Sequence, residues 1–256
     1  MIGIFDSGLG GLTAYRELHT LLPNEKFIYF GDTGRVPYGT RSHGLLLKYA
    51  RQDVNFLRES GATAILAACG TVSSVVLDEL KNEFDIPLIG VVDASVKEAL
   101  TATKNGVVGV IGTGATVSSG AFERKLKSGG AKEVISVACP LFVPLVENGY
   151  ISRDCEVARL VAKDYLKKIA DAGADTLILG CTHFPIISEI IGDFLPDVTL
   201  INSGAAAAKE VSAYADGSTG ESEFYVSDAP SNFDEVAKVF LGGETVTAKK
   251  IDIEKY

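Results

Sequence analysis

Short apolar segments alternate with amphipathic segments along most of the chain. Each apolar segment has the length of a buried strand, and most are followed by a segment with the length of a helix. Repeated strand–helix units predict an α/β fold with parallel sheets wrapped by helices. The predicted strands are Ile2–Phe5, Lys26–Phe30, the run from Ala64 that leads to Cys69, Pro87–Val91, Val107–Ile111, Val134–Ala138, Thr176–Leu179, Thr199–Ile201 and Glu223–Ser227.

The pattern repeats about half-way along the chain. Residues 2–12 contain an apolar strand, a glycine-rich turn with a hydroxyl group and the start of a helix, and residues 107–126 repeat these features. We therefore predict two pseudosymmetric α/β domains, each a mostly parallel sheet wrapped by helices, with an active site in the cleft between them. The expected bounds are 1–93 plus 204–256 for the first domain and 94–203 for the second.

Several helices carry boundary signals. We predict unbroken helices over 72–82 and from the glycine turn at 112–116 to Leu126, a helix capped by Asp93, and one capped by Asn202. The turn at Gly8–Gly11 opens the first helix, but its GxGG spacing is not that of a nucleotide loop, and Asp6 would repel phosphate.

The composition and net charge limit the classes of molecule that the chain is expected to bind. The 256 residues are 46% hydrophobic, which is enough for a large core, and no apolar run reaches the length of a membrane span. We expect a cytoplasmic protein. The net charge of −9 argues against nucleic acid or an anionic membrane surface as partner, although a pocket could still bind a small anion.

Two cysteines stand out among the four. Cys181 follows an apolar strand in LILGCTHFP, beside His183, and we expect it at the start of the helix that Pro185 helps to begin. A helix N-terminus lowers the pKa of a thiol, and the histidine could exchange a proton with it. Cys69 and Thr71 repeat the arrangement after an earlier strand.

Two opposed thiols suit a reaction that removes a proton from one face of a carbon and returns one to the other face, which is racemisation or epimerisation. Three rivals stay open. Cysteines are common core residues, which we favour for Cys139 and Cys155. A hydrolase using Cys181 and His183 would leave Cys69 unexplained, and i, i+2 neighbours seldom point the same way. Zinc would need ligand spacings that are absent from this sequence.

Polar residues after the first two strands are further candidates. Asp6 and Ser7 lie where open α/β sheets bind their ligands. The loop with Pro37, Tyr38 and Gly39 is expected to present backbone N–H groups and a phenol to a site. We expect Asp32 and Arg35 only to brace this loop, and His19 and His43 to be solvated.

The ordered motifs together resemble the glutamate racemases over essentially the whole chain. These motifs are Phe5-Asp6-Ser7-Gly8 to Leu12, Gly31-Asp32 with Pro37-Tyr38-Gly39, Ala68-Cys69-x-Thr71, Gly112-Thr113-x-Ala115-Thr116, Cys139-Pro140-Leu141 with Val146-Glu147, Leu179-Gly180-Cys181-Thr182-His183 and Phe224-Tyr225. The resemblance implies an isomerase without cofactor or metal that interconverts L- and D-glutamate for peptidoglycan synthesis and cell shape. A homodimer is possible.

The resemblance also implies a role for each site residue. Cys69 would act on the D-enantiomer and Cys181 on the L-enantiomer, and three residues would assist the thiols: Asp6, His183 and Glu147. The implied substrate contacts are Asp6, Ser7, Pro37, Tyr38, Gly39, Gly70, Thr71, Thr113, Thr116, Thr182 and His183.

Two positions depart from the resembled pattern. Gly70 stands where the family usually has Asn, and Asn202 where it usually has Asp. We expect Gly70 to leave a roomier pocket without one hydrogen-bond donor, so that Gly70→Asn would lower KM for glutamate. An aspartate racemase and a ligand-binding relative without turnover remain alternatives.

Overall fold

The computed structural model describes residues 1–229 and 233–256, and ten strands form two sheets in these ranges. Strand order is β10-β9-β2-β1-β3-β4 in the first sheet and β6-β5-β7-β8 in the second, and every described pair is parallel. The predicted α/β class is confirmed. The strands are β1 Ile2–Asp6, β2 Phe27–Gly31, β3 Ala64–Ala67, β4 Leu88–Gly90, β5 Val107–Gly112, β6 Glu133–Ala138, β7 Thr176–Leu179, β8 Thr199–Asn202, β9 Glu223–Val226 and β10 Ala248–Lys250.

Twelve α-helices surround the sheets in the described ranges. They are α1 Leu12–Leu21, α2 His43–Glu59, α3 Gly70–Val75, α4 Leu77–Glu83, α5 Val91–Ala102, α6 Gly114–Ser119, α7 Ala121–Ser128, α8 Phe142–Glu147, α9 Glu156–Asp171, α10 Ser188–Phe194, α11 Ser203–Val211 and α12 Phe233–Phe240. None of these described helices is both long enough and apolar enough to cross a bilayer.

The two sheets share one connection pattern. The orders β2-β1-β3-β4 and β6-β5-β7-β8 are the same when the second set of four strands is matched to the first. The matched strands β3 and β7 lead to Cys69 and Cys181 respectively. β9 pairs with β2, as expected for the last part of the chain, and the short polar strand β10 was not predicted. The exact domain bounds stay a prediction.

Strands β1 to β4 of the first sheet are buried on both faces, which explains their continuous apolar sequences. Alternate residues of β1 enter different cores, with Ile4 packed on the α1 side and Phe5 packed with α2 residues such as Val54. These four strands are therefore packed on both sides, and their carboxyl ends lie where open α/β sheets bind ligands.

Three helix predictions were wrong in detail. The helix expected over 72–82 is interrupted at Val76, whose φ of −128° leaves the helical range. The one expected to reach Leu126 breaks at Gly120, which has the left-handed φ of +65° that favours glycine. Asp93 lies inside the first turn of α5, where it pairs with Lys125, and does not cap the helix. The Asn202 cap is confirmed by its side-chain bonds to Gly204 and Ala205.

Candidate active site

A cavity of about 410 Å³ lies between the carboxyl edges of the two sheets. Its lining comes from loops that follow β1, β2, β3, β5, β6 and β7. We call Ser7 with Cys69–Thr71 the Cys69 wall, and Gly180–His183 with Glu147 the Cys181 wall. The other lining residues are Val36, Pro37, Tyr38, Gly39, Thr40, Thr113, Gly114, Cys139, Pro140, Val143 and Pro144.

Cys69 is fixed between the end of β3 and the start of α3, where it occupies the N-cap position. Its thiol is 3.5 Å from the Ser7 hydroxyl oxygen, to which it donates. Burial, together with the nearby Asp6 carboxyl group, raises the pKa of Cys69 to about 12. The lowering effect of a helix N-terminus is thus outweighed here, and Cys69 carries its proton at neutral pH.

Cys181 lines the same cavity from the second half of the chain, in the bend after β7. The expectation that it begins a helix is wrong, because a 3-10 helix at Phe184–Ile187 comes next and His183 is its N-cap residue. The expectation that Cys181 and His183 point apart is also wrong. This bend brings the Cys181 sulfur to 3.9 Å from His183 Nδ1.

His183 connects Cys181 to Glu147. Its Nε2 is 3.0 Å from a Glu147 carboxylate oxygen, and the Glu147 side chain is 48% exposed. Burial disfavours the charged ring, but the bonds to Cys181 and Glu147 prevail and raise the pKa of His183 to about 10. The ring therefore holds both protons at neutral pH and places a positive charge beside Cys181.

Asp6 lies behind the cavity and does not line it. Its side chain is 1% exposed, one carboxylate oxygen accepts a bond from the Gly8 amide at 3.0 Å, and the other has no partner among the described residues. Burial raises the pKa of Asp6, and the His183 charge opposes this rise. Asp6 can thus influence both walls electrostatically, whereas a direct contact with substrate stays a prediction.

A hydrogen bond between threonine hydroxyl groups connects the two halves of the chain at the cavity. Thr71 and Thr113 lie 3.0 Å apart across the cleft, and Thr113 is also 3.0 Å from Thr116. Thr116 is buried behind Thr113 and does not line the cavity, while Thr182 lines it beside His183. Thr71, Thr113 and Thr182 could donate to a bound carboxylate.

The loop after β2 contributes Pro37, Tyr38 and Gly39, as predicted, but the phenol is not offered to a ligand. The Tyr38 hydroxyl donates to Asp32 and lies 3.2 Å from an oxygen of Asp53. Arg35 pairs with Asp32 at 2.6 Å, which confirms that these two residues brace the loop. His43 is exposed and paired with Glu79, whereas His19 is half-buried against Tyr15.

One side of the cavity is more apolar than the motifs suggested. Cys139 belongs to the core, as expected, but it also lines the cavity with Pro140, Val143 and Pro144. The position of Cys139 after β6 was a usable signal, because the carboxyl ends of parallel strands share one edge. Valine and proline carry no chemical signal in a sequence, so the other three could not be found in this way.

The extra room expected at Gly70 is absent. A Cβ atom on Gly70 would lie 2.1 Å from the carbonyl oxygen of Gly180, far inside any contact distance. The backbone of the second half already fills the space where a side chain would go. The expectation of a roomier pocket is therefore wrong, while the effect of Gly70→Asn on KM stays a prediction.

No group of three His, Cys, Asp or Glu side chains that could hold a metal ion occurs among residues 1–229 and 233–256. The groups that face the cavity are thiols, hydroxyls, one imidazolium and one carboxylate. They are suited to moving protons at a small polar ligand.

Comparisons with known proteins agree on one family. Residues 28–211 match the family model described as Asp/Glu/Hydantoin racemase. A glutamate racemase of Aquifex aeolicus is 45% identical over 95% of this chain and 94% of its own length. The crystal structure of glutamate racemase from Francisella tularensis in complex with D-glutamate matches with a TM-score of 0.91 and 39% identity, over 100% of this chain and 98% of that one. The Thermus thermophilus glutamate racemase, in complex with β-chloro-D-alanine, matches with a TM-score of 0.88 and 38% identity, over 100% and 98% of the two chains.

Proposed function

Because the chain belongs to the glutamate racemases of the Asp/Glu/hydantoin racemase family and is an isomerase that racemises glutamate, we propose that it does so with two cysteines. Cys181 and Cys69 exchange protons with opposite faces of the substrate Cα. No cofactor takes part in this scheme.

One observation carries the proposal. Two thiols that follow matched strands of the two sheets, one from each half of the chain, line a single cavity. A one-base enzyme would need only one of them. A pair contributed by the two halves suits the removal of a proton on one side of a carbon and its return on the other.

The charges near the two thiols determine our assignment of the first base. The His183 ring is a cation at neutral pH and lies beside Cys181, whereas Cys69 keeps its proton, so we assign Cys181 as the first base in the L to D direction. In the L to D direction, the Cys181 thiolate removes the Cα proton and the Cys69 thiol donates its own proton to the opposite face. The D to L direction starts from the reverse arrangement, with Cys69 as base and Cys181 as acid.

The remaining groups hold the substrate. Ser7, Thr71, Thr113 and Thr182 supply hydroxyl groups around the cavity. They would bind the carboxylates, and Asp6 would act through its charge. The product D-glutamate would be used for peptidoglycan synthesis, the role that the family resemblance implies.

The experiment follows the proton. Purified enzyme is given L- or D-glutamate in heavy water, racemisation is recorded by circular dichroism, and deuterium at Cα is measured by mass spectrometry. We expect product that contains one deuterium at Cα, because a solvent-exchanged thiol reprotonates the carbon. Product without deuterium would overturn the two-cysteine scheme. Faster turnover of aspartate than of glutamate would overturn the assignment of glutamate as the substrate.

A further inference from the structure

The His183 ring follows a strand of the second sheet, but two elements from the part of the chain that forms the first sheet contact it. One is the turn between β1 and α1, because a Cβ atom built on Gly10 would lie 2.7 Å from Nδ1 and Cε1 of His183. The other is α12, which lies between β9 and β10 and whose Phe240 ring meets the imidazole edge to face, with ring centroids 5.0 Å apart. The imidazole is therefore enclosed partly by the other half of the fold.

The backbone next to His183 also depends on that half. In the turn after β7, the carbonyl oxygens of Cys181 and His183 each accept a bond from the N–H three residues later, at 3.1 and 3.2 Å. The residue three after Thr182 is Pro185, which has no N–H. The Thr13 hydroxyl of α1 donates to the Thr182 carbonyl oxygen at 3.1 Å. Thr13 thus supplies a hydrogen bond that the local sequence cannot.

Thr13 is held in place for this bond. Its side chain is 1% exposed, and its hydroxyl oxygen also lies 2.8 Å from the Gly10 carbonyl oxygen. That carbonyl already accepts a bond from the Thr13 amide at 3.0 Å, so it keeps a donor when the hydroxyl proton points to Thr182. A buried hydroxyl between two carbonyl acceptors has little freedom to turn away.

Thr182 lies between Cys181 and His183 in the chain, so the position of its peptide group determines where both side chains begin. We propose that Thr13 is a positioning residue for racemisation, because its hydroxyl fixes the Thr182 backbone and so holds the His183 ring between Cys181 and Glu147. This inference rests on the proposed two-cysteine function.

Loss of the hydroxyl would move the ring without removing it. The titratable groups that face the ring are Cys181, Glu147 and the buried Asp6. Burial lowers the pKa of His183, but the bonds to Cys181 and Glu147 outweigh burial and raise this pKa to about 10. A displaced ring would have weaker bonds to both partners. Its pKa would fall, and the ring would lose its charge at lower pH.

The experiment uses two substitutions that separate the hydroxyl of Thr13 from its packing. Thr13→Val keeps the size of the side chain and removes the hydroxyl, whereas Thr13→Ser keeps the hydroxyl and removes a methyl group. Racemisation of glutamate is measured by circular dichroism across the pH range in which His183 loses its charge. For Thr13→Val we expect kcat to fall about tenfold, the scale of one buried hydrogen bond, with KM changed less. The high-pH limb of kcat should move to lower pH.

Thr13→Ser should behave differently. We expect its kcat to stay within about threefold of the original value, with the limb in place, although the lost methyl group lowers thermal stability. Thr13→Ala also removes the hydroxyl and should reproduce the loss and the moved limb, which keeps the test open should Thr13→Val fail to fold.

The matched control is Thr20→Val. Thr20 lies on the same helix, is exposed, and donates to the Arg16 carbonyl oxygen of that helix at 2.9 Å. We expect kcat, KM and the high-pH limb to be unchanged in this variant.

Three results would overturn the inference while leaving the two-cysteine scheme intact. The first is a kcat within about threefold of the original value in the variants without the hydroxyl. The second is a lower kcat with the high-pH limb unmoved, and the third is an equal loss in Thr13→Ser, which would mean that Thr13 only packs. Failure of the scheme itself would appear elsewhere, as racemisation that survives loss of Cys69 or Cys181.

Discussion

The Cys69 wall and the Cys181 wall are built by equivalent strands, yet their thiols have opposite electrostatic surroundings. Cys69 is near the buried Asp6 carboxyl group and a neutral hydroxyl group. Cys181 has the His183 ring at 3.9 Å, and Glu147 supports that ring from its far side. The topology repeats, but the charges do not.

The difference shows how two halves with the same strand order can surround their thiols with different charges. A two-base reaction needs one thiolate and one thiol at the start, since two thiols would have no base and two thiolates no acid. The unlike neighbours give the two cysteines different electrostatic surroundings before substrate arrives. Each prediction below removes one part of this difference.

Loss of either thiol should have the largest effect. Cys69→Ala and Cys181→Ala should each abolish racemisation in both directions, because each direction needs one thiol as base and the other as acid. Circular dichroism with L- and with D-glutamate measures both directions. Near-normal turnover in either variant would show that the replaced cysteine is a core residue and not a catalytic one.

The next effect should come from the cation of the Cys181 wall. His183→Asn removes the positive charge beside Cys181 and should lower kcat by about 10²- to 10⁴-fold, with a smaller change in KM. His43→Asn is the matched control, because His43 is exposed at the first position of α2 and does not line the cavity, and it should leave both constants unchanged. A loss confined to KM would make His183 a binding residue only.

Asp6→Asn should come third. The substitution removes the charge that, after burial, most raises the pKa of Cys69. We expect kcat to fall by about 10²-fold, and Cys69 to become easier to ionise, which a lower pH for its alkylation would reveal. An unchanged alkylation profile would show that Asp6 does not act on Cys69.

The smallest effect should be that of Glu147, which is half-exposed. Because the pKa of His183 is about 10, activity should fall as the pH rises through that value and the ring loses its charge. Glu147 helps to raise this pKa, so Glu147→Gln should move the high-pH limb of kcat to lower pH, with a loss of about tenfold at neutral pH. If the high-pH limb does not move, Glu147 does not influence the pKa of His183.

The sequence was most informative where chemistry and topology coincide. Apolar strands and their polar ends located Cys69, Cys181, Ser7 and Thr113, since ligands in parallel α/β folds lie at strand carboxyl ends. The direction of the Tyr38 hydroxyl could not be predicted, because it depends on how Asp32 and α2, which carries Asp53, pack against this loop.

Close approach between distant segments was also beyond the sequence. The absence of a side chain at Gly70 could indicate either added space or a backbone contact, and only the position of Gly180 distinguishes them. The apolar part of the cavity, with Val143 and Pro144, was missed for a similar reason. Packing is a property of pairs of segments, whereas the motifs describe one segment at a time.

The different surroundings of Cys69 and Cys181 are tested most directly by alkylation of the free enzyme at neutral pH. Mass spectrometry then shows which cysteine is modified. Cys69 and Cys181 are 5% and 8% exposed, so access to the reagent is similar and the charge state should decide the rate. We predict that a small neutral reagent such as iodoacetamide modifies Cys181 well before Cys69, and that His183→Asn removes this preference. Faster modification of Cys69, or equal rates at the two cysteines, would contradict the account.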